Sequence, residues 1–153
     1  MLITIHNKQK DLKLASATLK KMIPFLLSEL GVYTNEVIVH FISDAKTKKI
    51  HADFFNDPSS TDCMSFPIDL PSSKETTSHI LGEIFVCPKT AITYAEKKGI
   101  DPYEETTLYV IHGLLHLIGY DDLDPISKRV MRKMEKRCLK ITSGFSLKPK
   151  NKT

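Results

Sequence analysis

No stretch of this 153-residue sequence approaches the roughly 18 consecutive apolar residues of a membrane span. Apolar runs such as Phe25-Leu26-Leu27 are cut short by Pro24 or by polar residues. The N-terminus, MLITIHNKQKD, lacks a basic leader followed by an apolar stretch, so no secretory signal is expected. Cysteine is scarce: Cys63, Cys87 and Cys138 are odd in number and have no CxxC spacing, which fits a reducing cytoplasm rather than a disulfide scaffold. There is no internal repeat at solenoid periods, and no low-complexity block beyond the end, SLKPKNKT. What remains is 41% hydrophobic and 26% charged, the composition of one globular domain that buries enough surface to need no covalent staple. The expectation is a soluble cytoplasmic protein that makes no membrane contact.

Acidic residues are nearly missing from the end of the chain. From Lys128 to Thr153 there are ten Lys or Arg against Glu135 alone, a charge of +9, whereas the preceding 127 residues carry −5. A basic segment on a mildly acidic body is a footprint for polyanions, RNA included; it also fits a solvated helix face followed by a lysine-rich tail. The expected organisation is a single domain over 1–142 and a basic, disordered tail over 143–153.

Periodicity supplies the elements. LITIHN opens as a strand, and Asp11 is placed to cap a helix carrying Leu12, Ala15, Leu19, Met22, Leu26 and Leu30, interrupted or kinked by Pro24 and ended by Gly31. EVIVHFI is a second, β-branched strand, followed by a helix capped at Ser43 or Asp44 with Ile50 and Phe54 on one face. A short strand at CMSF and a buried one at ILGEIFV come next, and Pro88 starts a helix ending at Gly99. Asp101-Pro102-Tyr103-Glu104 starts a helix running to Gly119, and Asp124-Pro125 starts the last, with Ile126, Val130, Met134 and Cys138 as its inward stripe. The expected fold class is α/β (α+β): about four strands in a small mixed sheet, covered by about five helices, with a metal site on a buried helix.

The chemistry is concentrated in HGLLHLIGYDD, residues 112–122. His112 and His116 lie one helical turn apart on the same face, where two imidazoles can reach one ion at ~2.0–2.1 Å. Gly119 lets the chain turn back, so Asp122, or its neighbour Asp121, can supply a third ligand. Three protein ligands with a fourth position open to water is a catalytic zinc arrangement. Two histidines on a helix are also found simply hydrogen-bonded, but Leu108, Ile111, Leu114, Leu115, Leu117 and Ile118 make this helix apolar almost all round, and imidazoles there need a polar partner. Gly113 stands where HExxH metalloproteases place their general-base glutamate, which speaks against peptide hydrolysis by that route.

The segment resembles the signature of the YbeY family of bacterial endoribonucleases, or rRNA maturation factors, HGxLHLxGYDH, at His112, Gly113, Leu115, His116, Leu117, Gly119, Tyr120 and Asp121. A second family segment, close to PTDVLSFP and then LGDI, is matched by STDCMSFP (60–67) and LGEI (81–84). The resemblance spans roughly residues 1–140 and departs in two places. The family's third zinc histidine is Asp122 here, and the arginine the family tends to carry shortly before its TD segment is Phe55. A carboxylate is a legitimate zinc ligand, but it adds a negative charge that makes a bound water less acidic.

The resemblance implies a single-strand-specific endoribonuclease in ribosomal RNA processing, 16S rRNA 3′-end maturation and ribosome quality control. His112, His116 and Asp122 would hold one Zn2+ per chain, with no general acid or base assigned. It implies ribosomal RNA, small ribosomal subunit proteins and the Era GTPase as partners. The alternative is a non-catalytic ribosome-assembly factor with a structural or vestigial zinc site. Within STDCMSFP, Asp62 is the residue placed to line the cleft, Met64 and Phe66 are expected in the core, and Cys63 is expected to be a small buried hydrophobe rather than a nucleophile.

Overall fold

The computed structural model describes residues 1–57 and 59–150. The elements are β1 (Leu2–Lys8), α1 (Ser16–Glu29), β2 (Glu36–Ile42), α2 (Asp44–Phe55), β3 (Cys63–Pro67), β4 (Ile80–Val86), α3 (Pro88–Lys98), α4 (Pro102–Leu117) and α5 (Pro125–Ile141). The strands form one mixed sheet in the order β1-β2-β4-β3; β1, β2 and β4 are parallel, and β3 runs antiparallel to β4. Among the described residues the chain forms the expected α/β class, with four strands and five helices.

Residue alternation divides the sheet into two faces. Ile3, Val37, Val39, Phe41, Ile84 and Val86 point into the main core, where they meet Leu19, Met22, Ile23 and Leu26 of α1 and Val110, Ile111, Leu114 and Leu117 of α4. The other face carries Met64 and Ile42, which pack with Ile50 of α2, and an aromatic row in which His6, His40 and Phe85 stack across three adjacent strands.

The approach of α4 to the sheet is set by two glycines. A Cβ on Gly113 would lie 2.5 Å from Ile84 Cγ2 and 3.0 Å from Cys63 Sγ, and one on Gly82 would lie 2.6 Å from Leu117 Cδ2. The Ser65 hydroxyl donates to the Gly113 carbonyl at 3.0 Å, tying β3 to the same turn of helix. Capping follows chemistry legible in the residues: Ser43 accepts from the Lys46 amide, Asp101 from Tyr103 and Asp124 from Ser127.

Four local expectations are corrected. Helix α1 starts at Ser16, not after Asp11; Leu12 is held ahead of it by the Gln9 side chain, which both accepts from and donates to the Leu12 backbone. Pro24 lies inside α1 without interrupting it. Phe54 is 68% exposed rather than sharing the buried side of Ile50, and it packs edge-on against Phe66. On α5, Ile126 is 72% exposed and Val130 is also exposed, while Met131 and Cys138 are buried. Residues four apart drift by about 40° per step on a helix of 3.6 residues per turn, so the expected stripe could not stay on one face.

The segment expected as a tail also departs from expectation. Leu147 is 1% exposed within the main core, its carbonyl accepts from the Ala15 amide at 2.8 Å, and Phe145 packs on Phe25. Residues 151–153 of that expected tail lie outside the described residues.

Replacing Gly113 with alanine is expected to overpack the α4–sheet contact and destabilise the protein by about 1–3 kcal/mol, read as a lowered midpoint in urea. Gly144→Ala, where a Cβ meets nothing within 4 Å, is the control expected to stay near wild type.

Candidate metal centre

With the Gly113 side of α4 pressed on the sheet, the remaining face carries His112 and His116, whose side chains are 19% and 27% exposed. The helix stops at Leu117. Gly119 adopts a φ of 109°, which suits glycine, and the Gly119 and Tyr120 amides donate back to the carbonyls of His116 and Leu115. This turn reverses the chain and aims Asp122 at the two imidazoles.

The Nε2 atoms of His112 and His116 are 3.0 Å apart. Asp122 Oδ2 lies 3.5 Å from the first and Oδ1 lies 3.8 Å from the second. Two facing imidazole nitrogens at that separation need a proton or a cation between them. Three donors spaced this way match the edges of a tetrahedron with bonds of ~2.0–2.2 Å. The structure brings His112, His116 and Asp122 together as one His/His/carboxylate group that could hold a metal ion. Asp121 instead braces the loop that follows, its carboxylate accepting from the Leu123 amide at 3.3 Å.

The other ring nitrogen of His112 faces Glu135. Nδ1 is 3.6 Å from Glu135 Oε1, so a carboxylate from α5 faces the nitrogen that points away from the other two donors. That carboxylate raises the His112 pKa above its ordinary value against the opposing effect of burial. Glu135, the one acid in the basic segment, thus lies on the inner face of α5. No local signal marks it; only its isolation among lysines and arginines distinguishes it.

His112, Asp122 and Glu135 line a cleft of about 580 Å3, together with Asp62, Glu105, Tyr109, Lys128 and Arg132. The 60–62 stretch is pinned there by three bonds: the Ser60 hydroxyl donates to Asp44, the Thr90 hydroxyl to the Thr61 carbonyl, and the Cys87 amide to the Asp62 carbonyl. Burial pushes the Glu105 carboxyl up, so it keeps its proton to higher pH than an exposed carboxylate. Burial also pushes the Cys63 thiol far up, which leaves it inert as a nucleophile.

The model of the family described as Endoribonuclease YbeY matches residues 4–143. The chain belongs to the YbeY family. It is 45% identical over 137 residues to the Endoribonuclease YbeY of Protochlamydia amoebophila, covering 90% of each chain, and 39% identical over 140 residues to that of Chlamydia caviae, covering 90% of this chain and 88% of the other. The solution structure of TM1509 from Thermotoga maritima shares the fold, with a TM-score of 0.64 and 23% identity over 94% of this chain and 90% of that one.

Against the YbeY signature, Asp122 reaches the position of the third histidine with its carboxylate facing both imidazoles. Gly113 has no room for the glutamate of HExxH, because its Cα faces Ile84 and Cys63. Phe55, in place of the family arginine, is 50% exposed at the end of α2 and offers no charge.

In the metal-free protein, the raised His112 pKa contributes stability that is fully present below about pH 6.5 and is lost as pH rises through the folded-state value. The melting temperature of metal-free protein is therefore expected to fall across that interval, and Glu135→Gln is expected to flatten the fall. Equal slopes for the two proteins would show that Glu135 does not govern the imidazole.

Proposed function

We propose that this YbeY-family chain is a zinc-dependent endoribonuclease that cuts single-stranded RNA in ribosomal RNA processing, including maturation of the 16S rRNA 3′ end and ribosome quality control. The observation that carries the reading is the convergence of three donors, 3.0–3.8 Å apart, on the wall of a cleft that also holds Lys128 and Arg132. The two-imidazole, one-carboxylate set suits Zn2+, one per chain. His112, His116 and Asp122 would hold the ion, which would supply Lewis acidity toward a phosphoryl oxygen and toward water.

The protein's own groups divide the remaining work. Glu135 holds the His112 ring in one orientation. Lys128 and Arg132 stand in the same cleft as Asp122 and pair with the phosphates of a bound strand. Arg129, Lys133, Lys136 and Arg137 on the outer side of α5 extend that positive field and steer a polyanion toward the cleft. Asp122 would add a negative charge that a third histidine would not, making a bound ion a weaker Lewis acid, so the rate is expected to rise toward higher pH. Ribosomal RNA, small-subunit proteins and the Era GTPase are the proposed partners, in the cytoplasm; among the described residues no helix is long and apolar enough to cross a membrane.

Metal analysis combined with RNA cleavage tests the reading. Wild type is expected to carry about one zinc per chain. His116→Ala should lose most of that zinc together with cleavage, while His112→Ala should lose cleavage and keep RNA binding. Asp122→His should bind metal at least as tightly and move the pH–rate profile to lower pH. If Asp121→Ala rather than Asp122→Ala loses the metal, the carboxylate is wrongly assigned. A folded His112→Ala protein that still cuts RNA would sink the enzyme reading.

Salt dependence tests the α5 surface. Each phosphate contact on a single strand is expected to add ~0.7 to the negative slope of log affinity against log salt. Arg132→Gln with Lys133→Gln should flatten that slope, weaken binding to unrelated sequences alike, and leave zinc content unchanged. An unchanged slope would remove α5 from the RNA surface.

A further inference from the structure

The candidate metal donors sit between two hollows. His112 and Asp122 line the 580 Å3 cleft described above. His116 lines a second cavity of about 430 Å3, between the end of α2, β3 and the turn after α4, with His51, Phe55, Tyr120 and Asp121 also in its wall. The two hollows differ in charge. The first contains Lys128 and Arg132, whereas no lysine or arginine is among the described residues lining the second, and its one carboxylate is Asp121. The first also holds Asp62, Glu105, Asp122 and Glu135, so it is at Lys128 and Arg132 that a phosphate finds a partner there; the second offers it no lysine or arginine among the described residues. A neutral, planar group carrying N–H donors suits the second.

Phe55 provides the surface for such a group. It is 50% exposed, and its two aromatic contacts are tilted rather than face-to-face: the ring centroid lies 5.4 Å from His51 at 48° and 6.0 Å from Phe66 at 40°. Phe66, in turn, is already packed by Phe54 and Phe85. The half-exposed Phe55 ring therefore adds little to the core, and it stands in the wall of a cavity reached by a metal-site histidine. The hydrogen bond of His51 Nδ1 with the Ser59 carbonyl, at 2.8 Å, holds its neighbour in place.

We propose that this second cavity is a nucleobase subsite. One base of an RNA strand whose phosphodiester lies at His112, His116 and Asp122 enters it and stacks on Phe55, while the flanking phosphates pair with Lys128 and Arg132 in the first cleft. Stacking on an aromatic ring tolerates every base, so the subsite selects for an unpaired base rather than for a sequence. A base held in a duplex cannot enter without leaving its stack. The inference rests on the RNA-cleavage reading and gives that reading its strand selectivity.

The test is a double-mutant cycle on the zinc-loaded protein. The probe is an oligonucleotide of about ten residues with nuclease-resistant 2′-O-methyl sugars, either intact or with a single abasic position moved along it; affinity is read by fluorescence anisotropy. Wild type should lose roughly tenfold in affinity when one particular position is abasic. Phe55→Leu should show a similar loss toward the intact probe and no further loss at that abasic position, while Phe55→Tyr keeps wild-type behaviour. Zinc content should be the same in all three proteins. Coupling between Phe55 and one base supports the subsite even if the protein cuts no RNA, in which case only the cleavage reading fails. If the protein cuts RNA but Phe55→Leu binds the intact probe as well as wild type, or the two losses add independently, the subsite is overturned and the cleavage reading stands. Absence of binding by wild type overturns both.

Discussion

The backbone of Gly113 lies so close to Ile84, Cys63 and Ser65 that the rotation of α4 about its own axis has a single solution. With that side of the helix flush against β3 and β4, residues on either side of Gly113 are carried to fixed positions, and the imidazoles one residue before and three after it emerge together at the sheet's margin. Ser65 strengthens the arrangement by donating to a helical carbonyl, so the strand that follows Asp62 is tied to the helix holding the histidines. Rotating α4 by even one residue would bury a histidine and expose a leucine. The histidine geometry thus follows from close packing on the opposite side of the helix, and the site is preorganised to the extent that this contact is tight.

Electrostatics around the site are arranged by element rather than by total charge. α5 presents lysines and arginines to solvent and a single carboxylate inward, so one helix provides both an attractive surface for a polyanion and an orienting partner for an imidazole. The acids of the cleft come from four places: Asp62 just before β3, Glu105 in the first turn of α4, Asp122 after that helix and Glu135 on α5. They crowd together: Asp62 and Glu135 each oppose ionisation of Glu105, and both favour the charged form of His112. Such a cleft has more negative charge than it can comfortably hold when empty, and a divalent cation relieves it.

Features that depend on neighbours in sequence were legible, and features that depend on distant neighbours were not. The His112–His116 spacing, the Asp101-Pro102 and Asp124-Pro125 helix starts and the β-branched run of β2 are local patterns, and each forms as read. The choice between Asp121 and Asp122 turns on a local hydrogen bond to Leu123 that either acid could have made by composition. Glu135 was hidden because its partner, His112, lies on another helix, and a lone acid among basic residues looks like any solvated charge. On α5 an apolar series at spacing four suggested a face that helical geometry cannot sustain, and the buried side is built instead from Met131 and Cys138. Leu147 sits in a polar, lysine-rich context that masks its burial.

That last contact has a consequence for how the molecule is made. The first turn of α1 has no side-chain cap, and the Ala15 amide just before it is satisfied by the carbonyl of Leu147. Every residue of the sheet and of α4, which carries His112 and His116, is synthesised before Leu147 exists. During synthesis the core therefore lacks one of its fully buried side chains, and the entrance to α1 remains unpaired. Closing this seam joins residues far apart in the sequence, a non-local pairing that forms only once the chain has been synthesised past Leu147. The segment around Leu147 thus locks α1 in place, and a nascent chain stalled before that point would hold His112, His116 and Asp122 without the finished core that keeps them in register.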